Sequence, residues 1–320
     1  MRRLAALLLG LALAAVARAA PPVAGAVQSI GLTVSDAERS IDFYARVLGF
    51  VPEADVEVGG PAWERLLGVF PVRARVVRLR LGAETIELTQ YVTPRGRPAP
   101  ADMRSNDRWF QHVAVVVSDM DRAYAWLRDQ RVAQISPEPQ RLPDWNPAAG
   151  GIRAFYFRDP DGHPLELIQF PPGKGDPRWQ DAGGRLFLGI DHTAIAVGDT
   201  ARSLAFYRDR LGFRVAGRSL NHGDEQARLN AVRGARVRVT TLRATAGPGI
   251  ELLEYLAPRD GRPLPREARP NDLLHWRTRI VAGAGARLGR PVALPETALG
   301  FRRAIALTDP DGHTLEVVQP

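Results

Sequence analysis

With six histidines and no cysteine, any metal or nucleophile chemistry in this 320-residue chain falls to imidazoles, carboxylates and hydroxyls. Three of the six, His112, His192 and His275, open the apolar runs QHVAVVV, DHTAIAV and HWRTRIV and are read as one repeated position. Glutamates recur in apolar runs of their own: Glu87 in TIELTQYV, Glu166 in PLELIQF, Glu251 in GIELLEYL and Glu316 in TLEVVQ. A carboxylate is costly to bury unpaired, so each predicts a metal, an arginine partner or a wet strand face. Imidazole with carboxylate suits Zn, Ni, Mn, Co or Fe(II), and the lack of thiolate removes the softer alternatives.

Strand parity sorts the remaining candidates. His163 and His313 each follow DPDG and stand three residues before Glu166 and Glu316, an odd spacing that puts each pair on opposite strand faces. DPDGH therefore reads as a turn and not as a ligand motif. Tyr255 shares a face with Glu251, and Tyr91 with Glu87, as cavity walls. Arg277 and Arg279 share the face of His275, where they would favour an anionic substrate through charge-assisted bonds. His222, in SLNHGDEQARL, is read either as an acid or base beside a metal or as a surface-loop residue.

The elements that must position these residues are repeated. SDAERSIDFYARVLGF (35–50) returns as GDTARSLAFYRDRLGF (198–213), and TIELTQYVTPRGRP (85–98) as GIELLEYLAPRDGRP (249–263). Arg104, Asn106 and Asp107 return as Arg269, Asn271 and Asp272, and DPDGHPLELIQF (159–170) as DPDGHTLEVVQP (309–320). Within each half a strand, a helix and three further strands recur, so the chain is α+β, built from four βαβββ modules at 26–92, 109–170, 188–256 and 273–319. The helix of the fourth is reduced to the glycine-rich AGAGARLG, a weak helix former. Consecutive modules are expected to pair, giving a first domain at 20–171 and a second at 188–320. FPPGKGDPRWQDAGG lies between them, its Pro and Gly marking a linker at 172–187. The loop LPDWNPAAGG is surplus to the first half and is expected to act as a lid, with Trp145 stacking on a ligand.

MRR, the run LAALLLGLALAAV and Ala17-Arg18-Ala19 predict a signal peptide over 1–19, hence export to the periplasm or beyond, with no membrane association after cleavage. The net charge of +8 falls by three with Arg2, Arg3 and Arg18, and arginine is spread through every segment, so no nucleic-acid partner is expected. A small-molecule partner fits better, with the chain a monomer or homodimer.

βαβββ modules carrying an early-strand His, an FYxxxLGF helix end and a closing F-x-DPDG-H-x-LEL strand resemble the vicinal oxygen chelate superfamily. That superfamily includes glyoxalase I, methylmalonyl-CoA epimerase, extradiol dioxygenases and bleomycin-binding proteins. The resemblance implies two glyoxalase-like domains, each made of two modules curved around one divalent metal. It implies His192, Glu251, His275 and Glu316 as the complete metal site, and Glu87, His112 and Glu166 as a damaged one. There Ser29 stands where His192 does, each seven residues before the aspartate of its module, Asp36 or Asp199. The four-ligand set resembles that of glyoxalase I and the epimerases and implies proton transfer on a substrate chelated through neighbouring oxygens. Glu316 or Glu251 would be the base. An extradiol-type Fe(II) dioxygenase and a non-catalytic small-molecule binding or resistance protein are the alternatives.

Overall fold

The computed structural model describes residues 23–286, 289–295 and 298–320. The expected signal peptide lies outside the described residues, and AGAGARLG does so in part. Module one comprises β1 (Ala24–Val34), α1 (Ala37–Asp42), β2 (Val51–Gly59), α2 (Pro61–Leu67), β3 (Arg73–Leu81) and β4 (Glu84–Thr93). Module two comprises β5 (Gln111–Val117), α3 (Met120–Asp129), the short β6 (Ala133–Gln134) and β7 (Gln140–Arg141), β8 (Arg153–Arg158) and β9 (Pro164–Gln169). Module three runs β10 (Phe187–Ala196), α4 (Thr200–Leu204), β11 (Arg214–His222), α5 (Asp224–Asn230), β12 (Arg236–Arg243) and β13 (Gly249–Ala257). Module four supplies β14 (Trp276–Ala282), β15 (Val292–Ala293), β16 (Arg303–Thr308) and β17 (Thr314–Gln319), with no helix among its described residues. Asp36, Asp119 and Asp199 cap α1, α3 and α4, each side chain accepting the backbone N–H three residues on.

The pairing of modules differs from the expectation. One sheet runs β15-β16-β17-β14-β1-β4-β3-β2 and joins module four to module one; the other runs β11-β12-β13-β10-β5-β9-β8-β6 and joins three to two. Sheet one is centred on antiparallel β1–β14, sheet two on antiparallel β10–β5. Each half of the chain therefore contributes to both sheets, and every curved face is shared between halves. This arrangement sorts charge, gathering two imidazoles and two carboxylates on one concave face and two arginines and two carboxylates on the other.

The convex faces carry the main cores. Ile30, Leu32, Val113, Val115 and Leu167 pack with Tyr44 and Leu127 of the helical segments between modules one and two. Ile195, Tyr207, Phe213, Ile280 and Leu315 do the same between three and four. The DPDGH turns fasten the sheets together. Asp161, in module two, accepts Ser35 N–H and Oγ–H of module one, while Asp311 of module four accepts Gly198 N–H of module three. His163 donates from Nδ1 to Asp159 and from Nε2 to the Leu273 carbonyl, both at 2.8 Å, so both nitrogens carry protons. Burial works against this imidazolium, but Asp159 outweighs it and raises the pKa. The connecting segments between modules cross-clasp as well: Arg97 holds buried Asp272, and Arg262 holds buried Asp107. The expected linker is packed, with Trp179 buried against Ala114, Ile168 and Leu188.

Candidate metal centre

Two strand irregularities prepare the site. In β10 the register slips between Ile190 and His192, and in β1 it slips at the matching place, between Val27 and Ser29. A bulge of this kind turns two consecutive side chains to one face. In β10 those are Asp191 and His192, and Asp191 Oδ2 accepts from His192 Nδ1 at 2.9 Å. Asp191 is held in turn by Arg243 Nη2 at 2.9 Å and Trp179 Nε1 at 3.2 Å. The imidazole is thereby locked in one orientation with Nε2 facing the concave side, an arrangement typical of metal-ligating histidines.

Three further donors meet that nitrogen. Glu166 of β9 lies with Oε2 at 3.4 Å from His192 Nε2 and 3.0 Å from His112 Nε2, and Glu251 of β13 brings Oε2 to 3.5 Å from His192 Nε2. Ligand atoms of His112, Glu166 and His192 all lie within 4.8 Å of one another. Thr241 Oγ1 donates to the other oxygen of Glu251 at 2.6 Å and fixes that carboxylate. His192 Nε2 is buried yet lacks a hydrogen-bond partner, which a bound cation would relieve. Burial alone would raise the Glu166 pKa, but His112 and His192 pull it down to about 2. Two imidazoles and the Glu166 carboxylate on rigid strands thus fit a divalent ion of the N/O-preferring class, with Glu251 Oε2 beside His192 as the candidate fourth donor.

The second concave face is filled instead. Arg279 occupies its centre, donating from Nε to Glu316 at 2.8 Å and from Nη1 to Glu87, while Arg78 donates to Glu87 at 2.9 Å. Arg277 reaches Thr89 Oγ1 and Tyr91, and the Arg279 guanidinium lies 4.5 Å from the Phe301 ring centroid. Trp63, Leu66, Leu299 and Val318 pack around this cluster. A guanidinium therefore stands between the two glutamates where the other sheet offers room for a metal. Ser29, the counterpart of His192, has its hydroxyl buried and unpartnered.

Several expected roles change accordingly. His192, Glu251, His275 and Glu316 do not come together, because modules three and four belong to different sheets. His112 and Glu166 instead complete the set with His192 and Glu251, while Glu87 stays in the other sheet. His275 is not the counterpart of His112: five residues separate Asp107 from His112 and Asp272 from Arg277, so the repeated aspartate aligns Arg277 with His112. His275 precedes β14, pairs through Nε2 with Thr314 Oγ1 at 3.1 Å, and is kept neutral, with burial and then Arg277 lowering its pKa to about 3. Arg277 and Arg279 are structural and cannot reach a substrate in the metal cavity. Glu316, tied to Arg279, cannot be its base.

A cavity of about 190 Å³ opens over Glu166, His192 and Glu251. Leu142, Ala148 and Ala149 of the surplus loop form one wall, so that loop does cover the site. Trp145, however, stacks on His222 at 4.4 Å outside the cavity lining, which removes both from substrate contact. Tyr255 lies behind the wall, accepting a hydrogen bond from Asn230. The lining also contains residues that periodicity alone passes over, among them Tyr156, Gln226, Asn230 and Thr241. Tyr156 neighbours Glu166 across the β8–β9 ladder, and its ring lies 4.8 Å from that of His112. Burial first, and then Glu166, hold its phenol pKa well above the usual value, leaving it a hydrogen-bond donor at neutral pH.

Comparison with known proteins agrees with this architecture. The family model described as Glyoxalase/Bleomycin resistance protein/Dioxygenase superfamily matches residues 26–167 and 189–317. A relative from Actinomyces sp, named 2-epi-5-epi-valiolone epimerase, is 34% identical over 157 residues, 48% of this chain and 83% of its own. Uncharacterized protein YaeR of Escherichia coli K12 is 28% identical over 45% of this chain and 95% of its own. Among solved structures, glyoxalase I from Zea mays superposes with a TM-score of 0.56 at 16% identity, covering 92% of each chain, a likeness of fold. With its family model matched in both halves and two curved βαβββ sheets, the chain belongs to the Glyoxalase/Bleomycin resistance protein/Dioxygenase superfamily.

Proposed function

We propose that this protein is a divalent-metal-dependent enzyme that moves a proton at the carbon beside a carbonyl, an epimerase- or glyoxalase-like reaction on a small substrate bearing neighbouring oxygens. The observation that carries it is the convergence of His112, Glu166, His192 and Glu251 on one concave face beneath a closed-in cavity. Four protein donors leave two positions of an octahedral ion for two substrate oxygens, whereas a ring-cleaving dioxygenase needs three. The name of the Actinomyces relative supports the epimerase side of this reading.

The ion, when bound, would supply Lewis-acid stabilisation of the charge that develops on the substrate carbonyl oxygen. Glu251 is the proposed base. Thr241 holds its Oε1, and Oε2, which would leave the ion to act as base, is the oxygen placed to take the proton. Tyr156, kept protonated, donates to a substrate oxygen, and the Leu142–Ala149 wall keeps water from the reacting carbon.

Metal-loaded protein incubated in D2O with small cyclic and open-chain hydroxyketones tests this. Deuterium entering the carbon next to the carbonyl, followed by NMR and lost by about a hundredfold or more in Glu251→Gln, is the expected result. Oxygen uptake with catechols and no deuterium exchange would contradict it in favour of ring cleavage. Saturable binding without exchange would contradict it in favour of a binding protein.

A further inference from the structure

The pseudo-symmetry of the two halves is broken again where β14 and β5 begin, and a second cavity lies there. Trp276, at the start of β14, packs edge-on against His163 at 5.3 Å and closes one side of the junction between halves. At the matching start of β5 stands the smaller Gln111, which donates to Thr193 Oγ1 at 2.9 Å. Beside them lies a cavity of about 190 Å³, lined by Gln111 and Trp276 and walled by Trp109, Leu264, Leu274 and His275. Nothing in the metal site lines it.

Two residues of this wall each carry a buried polar atom without a partner: Trp109 its indole N–H and His275 its Nδ1. Trp109 is 5% exposed, and its ring is pinned under the Arg262 guanidinium at 5.0 Å. A buried N–H donor held in place and left unsatisfied is rare in folded proteins unless something binds there.

The charge around the cavity is equally lopsided. No carboxylate lines it, and Arg269 does. The repeat shows why that arginine is available. Its counterpart Arg104 is held by Asp260, which precedes the glycine of PRDGRP, whereas the first-half copy TPRGRP has Arg95 in that place. Among the described residues the Arg269 guanidinium has no ion-pair partner, and it is exposed at the rim.

We propose that this cavity is a second small-molecule site, distinct from the metal centre, that takes a single-ring aromatic carboxylate. The ring would lie between Trp109, Trp276 and Leu274, and the carboxylate would accept from Trp109 Nε1 and from the Arg269 guanidinium. The size is consistent, since cavities of about 150 Å³ hold one benzene ring. Neutral His275 adds no competing positive charge, and its orphan nitrogen can serve a ring substituent.

Benzoate is the probe. Isothermal titration of the full chain should show saturable binding, weakened about fivefold or more by Arg269→Gln and by Trp109→Phe, and abolished by the cavity-filling Ala268→Trp. Toluene should bind more weakly than benzoate, and His192→Ala should leave benzoate affinity unchanged. Absence of saturable binding to the wild-type chain would overturn the proposal. So would benzoate affinity that ignores Arg269→Gln and Trp109→Phe, or that disappears with His192→Ala, which would place the ligand at the metal centre. Because none of these readouts requires turnover, failure here is distinguishable from failure of the proposed enzymatic reaction.

Discussion

At the scale of single residues, one guanidinium decides which concave face can hold a metal. Arg279 is 5% exposed and pairs with both Glu87 and Glu316, so removing it strips Glu316 of this guanidinium and leaves Glu87 with Arg78. Burial opposes the charge on Glu87 and Arg279, and their mutual attraction overcomes it, lowering the Glu87 pKa and raising that of Arg279. Arg279→Met should therefore destabilise the fold by about 3–5 kcal/mol in urea unfolding. The triple change with Glu87→Gln and Glu316→Gln should recover much of that loss. A single variant as stable as wild type would mean the cluster is not the filler it is taken to be. Much of this was legible in the sequence: Glu87, Glu166, Glu251 and Glu316 all face concave surfaces, and strand parity excluded His163 and His313 from the ligand sets. The assignment of His275 failed because two residues' difference in register keeps the same face, so parity cannot detect it. The spacing from Asp107 and Asp272 detects it, and places Arg277 opposite His112. Asp191 escaped notice because a bulge breaks the alternation on which parity depends.

At the scale of elements, DPDGH works as a staple and not as a ligand motif. The His163–Asp159 pair sits between sheets, and the shifts of its two members set a pH window. His163 is raised above its usual 6.5, so its contribution is full below that value and is lost as pH rises through the raised pKa. Burial pushes the Asp159 pKa up, but His163 outweighs it and holds it below its usual 3.8, so that contribution is full above 3.8 and is lost as pH falls through the lowered value. His163→Asn should thus cost about 1.5–3 kcal/mol near pH 5.5. The difference from wild type should shrink as the pH is raised, as followed by thermal melts across the range. A difference that did not change with pH would show that His163 acts through shape alone. The loop LPDWNPAAGG was legible as a cover because it is surplus to the repeat. The placement of Trp145 on His222 was not, since it depends on where β11 of another module ends.

At the scale of the whole molecule, repeats in the sequence revealed four modules but not their partners. Sequence order favours pairing neighbours, yet β1 lies beside β14 and β5 beside β10, and nothing local to either strand encodes that choice. What distinguishes the two arrangements is chemical sorting across the chain, with Arg279 delivered to Glu87 and His112 to His192. Residues 23–171 alone should consequently fail to form a folded monomer, because β1 and β5 both lose their central partners. Light scattering with circular dichroism should show an unfolded chain or a self-associated one; a stable monomer with native strand content would contradict the shared-sheet architecture.

Metal content of the purified, metal-reconstituted protein tests the central claim most directly. The account predicts about one divalent ion per chain for wild type, for His275→Ala and for Glu316→Gln, and loss of that ion in His112→Ala and His192→Ala. Retention of metal by His112→Ala together with its loss from His275→Ala or Glu316→Gln would contradict the account and restore the pairing of neighbouring modules.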